Sequence, residues 1–342
     1  MTKIGIVGVG FMGMIHYLAA QKLRGATVTA ICSRDPKKLA GDWRSIQGNF
    51  GPGGDVMDLS NIKRYDRVDS LLADPEIDLI DICLPTTLHD SAAIAALKAN
   101  KHVLVEKPIC LEVGRADAML EAAAKSRKLL MVGQVLPFFP EFRFAAEAIR
   151  DGRYGKLQAA HFKRVISRPD WSSASADPEQ TGGAAIDLHI HDTHFIGLVC
   201  GVPRAVNATG WRRGSTVEYL TTQYLYGEES PAVSCCCGAL AQKGRPFVHG
   251  FEIYLERATL TFESGTVPLT VLTEDGKNEQ PSLLPGSDDL VAAFTDEIQA
   301  AVDGVAAGRA PPALDAKLAR DALGMCLVEC ESIRSGRAQR VI

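Results

Sequence analysis

Asp187 and His191 are residues whose types and spacing could support a reaction. They lie four positions apart in a stretch of helical character, residues 184–200, so their side chains are expected to share one face. Such a pair can take the proton of a hydroxyl group while a hydride leaves the same carbon, or return it to a carbonyl oxygen in the reverse direction. The pair therefore indicates the chemistry of alcohol oxidation.

A glycine-rich motif stands near the start of the chain, where residues 8–13 read Gly-Val-Gly-Phe-Met-Gly. It follows an apolar run and opens an amphipathic stretch, the context in which G-x-G-x-x-G binds a dinucleotide. Gly8 would permit the tight turn, Gly10 would let the backbone approach a pyrophosphate, and Gly13 would let helix and strand pack closely. The alternative is a glycine-rich turn without a ligand.

The end of the second predicted strand bears on which dinucleotide is bound. NAD-specific domains usually place Asp or Glu there to bind the ribose hydroxyls, whereas this chain has Ser33 and Arg34. The serine removes a negative charge that would repel a 2′-phosphate, and the guanidinium can pair with phosphate. We therefore predict NADP over NAD, with the alternative that Arg34 is a solvated loop residue and Asp35 supplies the acid.

The first third of the chain alternates apolar runs with amphipathic helical stretches, which is typical of a parallel sheet built from βαβ units. Strands are predicted at residues 4–7, 27–32, 79–84, 102–105 and 129–132. Helices are predicted at residues 13–23, 89–99 and 111–126. Residues 41–58 are too rich in Gly and Pro for either, so they are expected to form an irregular excursion near the adenine end of the site.

Beyond Gln134 the pattern changes to a succession of strands, which predicts a largely antiparallel sheet. These strands are predicted at residues 157–167, 205–211, 218–226, 232–238, 251–255 and 258–263. Helices are predicted at residues 140–150, 184–200, 288–303 and 315–335. The predicted fold class is α/β, with a doubly wound Rossmann domain at residues 1–133 and a second α/β domain with an open, largely antiparallel sheet at residues 134–342.

Several motifs together resemble one family, the glucose-fructose oxidoreductase, inositol dehydrogenase and rhizopine catabolism proteins, called Gfo/Idh/MocA. The motifs are residues 8–13, Leu-Pro-Thr-Thr-Leu-His at 84–89, Lys-His-Val-Leu-Val-Glu-Lys-Pro at 101–108, and Gly-Gly-Ala-Ala-Ile-Asp-Leu-His-Ile-His-Asp at 182–192. The resemblance covers nearly the whole chain. It implies that Lys107, Asp187 and His191 correspond to the catalytic residues of the family.

The roles within this trio follow from ordinary acidities. An imidazole has an unperturbed pKa of about 6.5, which suits proton transfer near neutral pH, whereas a lysine amine at about 10.4 would need a large depression of its pKa. We therefore expect His191 to accept the proton, Lys107 to hold the substrate oxygen and the nicotinamide end, and Asp187 to bind a neighbouring hydroxyl. The reverse assignment of Lys107 and His191 stays open.

Other residues are expected to line the site. Arg168 and Trp171 are placed to cover the cofactor or to meet a polar substrate, although a structural tryptophan is an equal alternative. His89 is expected to line the cofactor pocket, or simply to start a helix. The full set predicted to bind the cofactor is Gly8, Gly10, Phe11, Met12, Gly13, Ser33, Arg34, Leu84, Thr86, His89, Glu106 and Lys107.

A metal site formed by Asp187, His191 and His194 is possible in principle. We predict no metal, because the ligands would come from one crowded helical turn. The nine cysteines show no repeated spacing and no C-x-x-C pair, so neither a disulfide framework nor a cysteine zinc site is indicated and a reducing cytoplasm is the expected location. The run Cys235 to Cys237 is interpreted as small buried packing.

Charge and hydropathy exclude other classes of partner. The formal net charge is −4, without a basic run to meet a nucleic acid. No apolar segment reaches the roughly 18 residues of a membrane span, and the apolar start is broken by Gly8 and Gly10, unlike a signal peptide.

The sequence thus predicts an NAD(P)-dependent oxidoreductase acting on a secondary alcohol or ketone of a sugar, polyol or related hydroxylated compound, with catalysis in the cleft between the domains. The resemblance implies a homodimer or homotetramer paired through the free face of the second sheet. Two rivals remain: a non-enzymatic regulator that senses NAD(P), and a hydrolase or epimerase that uses the nicotinamide transiently.

Overall fold

The computed structural model describes residues 1–48, 50–167, 178–283 and 290–341. The chain forms two compact units. The first unit comprises Met1–Val135 and Asp288–Arg320, and the second comprises Leu136–Ser287 and Asp321–Ile342. Each is described by itself below.

The element bounds are as follows. The strands are β1 Thr2–Val7, β2 Ala26–Cys32, β3 Lys63–Tyr65, β4 Leu79–Ile82, β5 His102–Glu106, β6 Leu130–Gly133, β7 Leu157–Ser167, β8 Ala205–Arg213, β9 Thr216–Leu225, β10 Ala232–Ala241, β11 Val248–Leu255, β12 Ala258–Glu263, β13 Val267–Thr273, β14 Asn278–Glu279 and β15 Gln339–Arg340. The helices are α1 Phe11–Ala20, α2 Pro36–Leu39, α3 Val68–Leu72, α4 His89–Lys98, α5 Val113–Ser126, α6 Pro140–Asp151, α7 Pro178–Thr181, α8 Ile190–Cys200, α9 Leu290–Ala307 and α10 Ala316–Ser335. A π-helical turn, Ala184–Leu188, precedes α8.

The first unit is built on a six-stranded sheet in the order β3-β2-β1-β4-β5-β6. All its strand pairs are parallel, and this order is that of the Rossmann fold. Strands β4 and β6 are buried at every position, as expected of parallel strands covered on both faces. The prediction of a parallel Rossmann sheet is confirmed, with the five predicted strands placed to within two residues.

The predicted single boundary between residues 133 and 134 differs from the observed division, because α9 belongs to the first unit. Helix α9 packs along α1. The Thr295 hydroxyl lies 3.4 Å from the Ala19 carbonyl oxygen, and Gln299 accepts a hydrogen bond from the Arg24 N–H at 2.8 Å. The apolar side of α1 is thereby covered by a helix that comes more than 260 residues later in the chain.

The second unit is built on a nine-stranded sheet in the order β14-β13-β12-β11-β7-β10-β9-β8-β15. Its pairs are antiparallel except that β10 runs parallel to β7, which confirms the predicted largely antiparallel sheet. Burial alternates along β7, so one face packs against helices. There Phe142 of α6 and Phe162 of β7 each contact the ring of Phe195 of α8, with centroids 5.1 and 5.8 Å away.

The opposite face of this sheet carries several large exposed apolar side chains. Leu225, Tyr254 and Leu272 alternate along their strands with residues of the buried core, so they project from the other side. Trp211 of β8 is also exposed, at 48%. Among the described residues, no helix combines the length and apolarity that crossing a membrane requires.

Candidate active site

The glycine motif forms the turn between β1 and α1. Gly8 has a positive φ of 97°, and a Cβ there would lie 2.6 Å from the Cys83 carbonyl oxygen. A Cβ on Gly13 would lie 2.0 Å from the Gly8 carbonyl oxygen, whereas a Cβ on Gly10 would meet nothing within 4 Å. Two glycines are thus required by close packing, and the third leaves open space beside the first turn of α1. This arrangement fits a dinucleotide pyrophosphate at the helix N-terminus.

In the segment after β2, Arg34 is exposed to solvent, and Asp35 forms hydrogen bonds with its neighbours in the chain. The Asp35 carboxylate accepts the Lys37 N–H at 2.9 Å and so caps α2. The Ser33 hydroxyl accepts the Asp35 N–H at 3.2 Å. Turning the Asp35 carboxylate toward a ribose would therefore cost the helix its N-cap.

The predicted irregular excursion folds back onto the first turn of α1. Phe50 packs edge-on against Phe11 of the glycine motif, with ring centroids 4.8 Å apart, and stacks on Phe294 at 5.5 Å. Trp43 is fully buried, and its Nε1–H donates to the Lys38 carbonyl oxygen at 2.9 Å. Trp43 and Phe50 of this segment thus pack within the first unit, with Phe50 beside the motif.

Lys107 follows β5 at the carboxyl edge of the parallel sheet. Among residues 103–110 it alone is partly exposed, and all the others are buried. Its N–H donates to Oε2 of Glu106 at 3.0 Å, and the Lys107–Pro108 peptide bond is cis. The Lys107 amine is therefore the one side chain that reaches solvent from this otherwise buried strand end.

His89 starts α4 and is buried beneath this strand end. Its Nδ1 lies 2.9 Å from the Pro108 carbonyl oxygen and its Nε2 lies 2.8 Å from the Leu84 carbonyl oxygen. Burial lowers the pKa of His89, so the ring is neutral and its single N–H can donate to one of these two carbonyls. The ring links the two segments that follow β4 and β5.

A buried histidine lies behind Glu106. Nε2 of His16, on α1, is 2.9 Å from Oε1 of Glu106, although poorly aligned for a hydrogen bond, and Nδ1 is 2.9 Å from Oδ2 of Asp81 on β4. The Cys83 thiol is 3.5 Å from Nδ1. Glu297 of α9 completes the group, because one of its carboxylate oxygens lies within 4.8 Å of both His16 and Glu106. We call His16, Asp81, Glu106 and Glu297 the His16 network.

Three carboxyl groups thus lie close to one imidazole, and all four side chains are buried. Burial alone would lower the pKa of His16, but the charge of Asp81 and hydrogen bonds to Asp81 and Cys83 raise it well above 6.5. Burial, reinforced by the charge of Glu106, raises the pKa of Glu297 well above its usual value. Both Glu297 oxygens are buried and have no hydrogen-bond partner within the part of the chain that the structure describes. Both shifts favour a protonated His16 and a protonated Glu297.

Asp187 and His191 lie in the second unit, on either side of a break in helical geometry. Asp187 belongs to the π-helical turn, in which the His189 N–H donates to the Ala184 carbonyl oxygen at 3.0 Å, and His191 belongs to α8. The predicted continuous α-helix over residues 184–200 is therefore wrong. Asp187 and His191 are nevertheless the only residues among 185–197 that are not buried, and π-helical turns are frequent at functional sites.

Two buried ion pairs hold this segment from below. Arg164 of β7 makes a two-pronged contact with Asp192, at 2.6 and 3.1 Å. His189 places Nε2 2.7 Å from Oε2 of Glu329 on α10, and this charge raises the pKa of His189 although burial opposes it. We call these four residues the His189 network; it contains two cations and two carboxylates.

His194, the cysteine run, and the pair Arg168 and Trp171 were also singled out from the sequence. His194 is fully buried, and burial lowers its pKa to about 3, so its ring lies in the interior while Asp187 and His191 are partly exposed. Cys235 and Cys237 are buried free thiols, with pKa values that burial raises well above 9. Arg168 and Trp171 lie outside the described residues.

Several buried polar residues beneath the two candidate segments carry no role in the predictions from sequence. His16 lies three positions after Gly13, and Asp81 interrupts the apolar strand β4. A charged residue inside a buried strand is the signal that could have revealed the network, since such residues are rarely buried unpaired. Glu297 and Glu329 gave no local signal, because their partners are distant in sequence.

Two family models match the chain. Residues 2–134 match the model described as the oxidoreductase family with an NAD-binding Rossmann fold. Residues 142–261 match the model of the GFO/IDH/MocA C-terminal domain. Together the two models span most of the chain.

Curated relatives give partial matches. Myo-inositol 2-dehydrogenase of Thermotoga maritima is 29% identical over 58% of this chain and 55% of its own length. Inositol 2-dehydrogenase of Rhizobium meliloti is 28% identical over 61% and 58%. The 2,7-anhydro-N-acetylneuraminate hydratase of Escherichia coli is 27% identical over 78% and 60%. The matched part is thus under two thirds of each relative.

Solved structures share the whole fold. A levoglucosan dehydrogenase complexed with NADH and levoglucosan has a TM-score of 0.83, with 19% identity and coverage of 99% of both chains. An Agrobacterium radiobacter oxidoreductase complexed with NAD⁺, L-tartaric acid and magnesium has a TM-score of 0.81, with 20% identity and coverage of 99% and 98%. The family models, supported by this likeness of fold, show that the chain belongs to the Gfo/Idh/MocA family of oxidoreductases.

Proposed function

We propose that this protein is an NAD(P)-dependent oxidoreductase that acts on a secondary alcohol or ketone of a sugar, polyol or related hydroxylated compound. The observation that carries the proposal is the selective exposure of Asp187 and His191 within an otherwise buried stretch. The glycine turn, which leaves space at Gly10, supports a bound dinucleotide. The inositol and levoglucosan dehydrogenases among the similar proteins support the substrate class.

A bound nicotinamide would supply the hydride acceptor for the carbon that carries the hydroxyl group. His191 takes the hydroxyl proton, so the carbinol loses one hydride and one proton and becomes a carbonyl. The Lys107 ammonium stabilises the negative charge that develops on the substrate oxygen. Asp187 accepts a hydrogen bond from a neighbouring hydroxyl and thereby orients a substrate with several hydroxyl groups.

We propose NADP as the preferred cofactor. Arg34 is exposed at the end of β2, and Asp35, the competing acid, is engaged as the cap of α2. A guanidinium can bind a 2′-phosphate in a two-pronged contact, which an Asp at the same place would repel. Several similar structures hold NAD⁺ or NADH, so the cofactor preference is a point on which this chain is expected to differ from them.

We also propose that a second copy of the chain covers the free face of the nine-stranded sheet. Trp211, Leu225, Tyr254 and Leu272 are exposed there, and contiguous exposed apolar surface commonly marks an interface. Light scattering on the purified protein should report a dimer or tetramer. Replacing Leu225 and Leu272 together with Asp should yield monomers, whereas a wild-type monomer would contradict the proposal.

A second function is favoured by one comparison. The hydratase of Escherichia coli matches a larger share of this chain than either inositol dehydrogenase does. In a hydratase, water is added without net oxidation, so any reduction of the nicotinamide would be reversed within the cycle. Such a protein would convert its substrate without accumulating reduced cofactor.

A substrate screen tests the proposal. The purified protein is incubated with NADP⁺ or NAD⁺ and a panel of inositols, aldoses and anhydrosugars, and reduced nicotinamide is followed by absorbance. We expect at least one cyclic polyol or sugar to support reduction, and the variant His191→Ala to fail with the same compound. Equal rates in the wild type and this variant would remove His191 from the reaction.

A further inference from the structure

The His16 network joins the glycine turn to the strand end that carries Lys107. His16 lies on α1, six residues after Gly10, and Glu106 is the last residue of β5. One Glu106 oxygen lies 2.9 Å from the imidazole, and the other accepts the Lys107 N–H at 3.0 Å. A continuous chain of polar contacts therefore runs from the helix behind the cofactor turn to the Lys107 backbone.

Each link in this chain is buried. His16 has no exposed surface, Glu106 is 6% exposed, and Asp81 is 1% exposed. Because water cannot replace a lost partner there, removing one group leaves another uncompensated. Asp81 holds the ring from its Nδ1 side at 2.9 Å, in the way that a carboxylate fixes the orientation of a histidine whose other nitrogen is functional.

We propose that His16 is a positioning residue for Lys107: held by Asp81, its imidazolium fixes the Glu106 carboxylate, which in turn fixes the Lys107 backbone. The inference rests on the proposed catalytic role of Lys107. Glu106 was included above among the residues predicted to bind the cofactor. In this scheme its two carboxylate oxygens instead contact His16 and the Lys107 N–H. Lys107 is partly exposed, and in this scheme the backbone anchor contributes to its placement.

Two substitutions at His16 test the contact of Nε2 with Glu106 separately from the contact of Nδ1 with Asp81. In His16→Gln the amide nitrogen reaches the place of Nε2 and stays beside Glu106, whereas in His16→Asn it reaches the place of Nδ1 and faces only Asp81. Both remove the cation from the same buried site, so both lower stability. Only His16→Asn breaks the link to Lys107.

The closing experiment compares turnover of wild type, H16Q, H16N and Lys107→Met with a substrate from the screen, together with the cofactor Kd. We expect H16N to lower kcat at least about tenfold below H16Q, with cofactor affinity unchanged, because misplacement of a reacting group acts on turnover. Hydrogen exchange should show faster exchange of the Lys107 amide in H16N than in H16Q. Equal kcat and equal exchange in the two variants would overturn the inference.

The Lys107→Met arm separates this outcome from failure of the proposed function. If Lys107→Met keeps full turnover, the catalytic role of Lys107 is wrong, whatever the His16 variants do. If it is inactive while H16N and H16Q match, only the positioning role is wrong. Should H16N fail to fold, Glu106→Gln serves instead: it keeps the side-chain volume, and a kcat within about twofold of wild type would contradict the proposal.

Discussion

Each unit holds its candidate site residues above a buried polar network, and the two networks differ in their numbers of acidic and basic groups. In each, the side chains proposed to react are the partly exposed positions of a buried segment, and a fully buried histidine lies beneath: His16 in the first unit and His189 in the second. The His189 network pairs two basic side chains with two acidic ones, whereas the His16 network sets three acidic side chains around one imidazole.

This difference predicts how the stability of each unit responds to mutation and to pH. A balanced buried network is destabilised strongly by removing one partner, because a lone buried charge remains. An unbalanced network must hold an additional proton, so its stability depends on pH through the group that carries it. The first unit is therefore expected to respond to pH through Glu297, and the second chiefly to mutation.

The largest effect is expected in the balanced network. Asp192→Ala leaves Arg164 buried without its two-pronged partner, and the free energy of unfolding should fall by about 3–5 kcal/mol. Urea unfolding followed by circular dichroism measures the loss. Glu331→Ala is the matched control, since the Glu331–Arg334 pair on α10 is exposed and should matter little. Equal losses in both variants would show that the network adds nothing to stability.

Turnover provides the next largest effect. Lys107→Met should lower kcat by a factor that corresponds to about 3 kcal/mol or more, because it removes a charge that acts in the transition state. Cofactor affinity, measured by fluorescence titration, should stay near the wild-type value. The exposed Lys125, paired with Glu121 on the surface of α5, offers the control Lys125→Met, which should leave kcat unchanged. A normal kcat in Lys107→Met would remove it from the chemistry.

The pH dependence of the stability of the His16 network is expected to come next. Burial raises the pKa of Glu297, so the folded state retains a proton that the unfolded chain releases above pH 4.5. Wild-type stability therefore falls as pH rises from 4.5 toward the folded pKa. Glu297→Gln mimics the neutral acid, so its stability should exceed that of the wild type by a margin that grows from pH 5 to pH 8.

Glu329→Gln provides the contrast for this measurement. It removes an anion paired with His189, so we expect lower stability than wild type at both pH values. If Glu297→Gln is instead less stable than wild type at pH 8, Glu297 is ionised and bound to a cation, and the contrast between the networks fails.

The smallest effect concerns the cofactor. Arg34→Ala should weaken NADP binding about tenfold and spare NAD, since a single phosphate contact is removed. The preference for NADP should also shrink at high salt, because Arg34 is exposed and its charge is screened. Fluorescence titration with both cofactors measures this. Equal or tighter binding of NAD by the wild type would contradict the proposed preference.

Much of the fold could be predicted from the sequence because its signals are local. The apolar strands β1, β4 and β5 carry their own pattern, and the glycine motif predicted its turn. Strand β3 was missed because its residues, Lys-Arg-Tyr, are polar, and β13 begins Val-Pro, which disfavours a central strand. The return of α9 to the first unit is a tertiary choice that a helical pattern does not encode.

The site divides in the same way. Lys107, Asp187 and His191 stand in recognisable motifs, and the structure makes each of them partly exposed. The partners that hold their segments come from far along the chain: Asp81 is 65 residues from His16, and Glu329 is on α10 whereas His189 precedes α8. Such pairs depend on how the strands and helices assemble, which local spacing does not reveal. The π-helical turn at Asp187 likewise departs from the regular spacing expected of the segment.

Net hydride transfer is the central claim, and one measurement tests it most directly. A polyol found by the screen, deuterated at the carbon that carries the reacting hydroxyl, is incubated with the protein and NADP⁺, and both products are analysed by mass spectrometry. We expect one deuterated reduced nicotinamide for each molecule of ketone formed. Conversion of the substrate with no net reduced nicotinamide would contradict the claim and favour a hydratase or epimerase cycle.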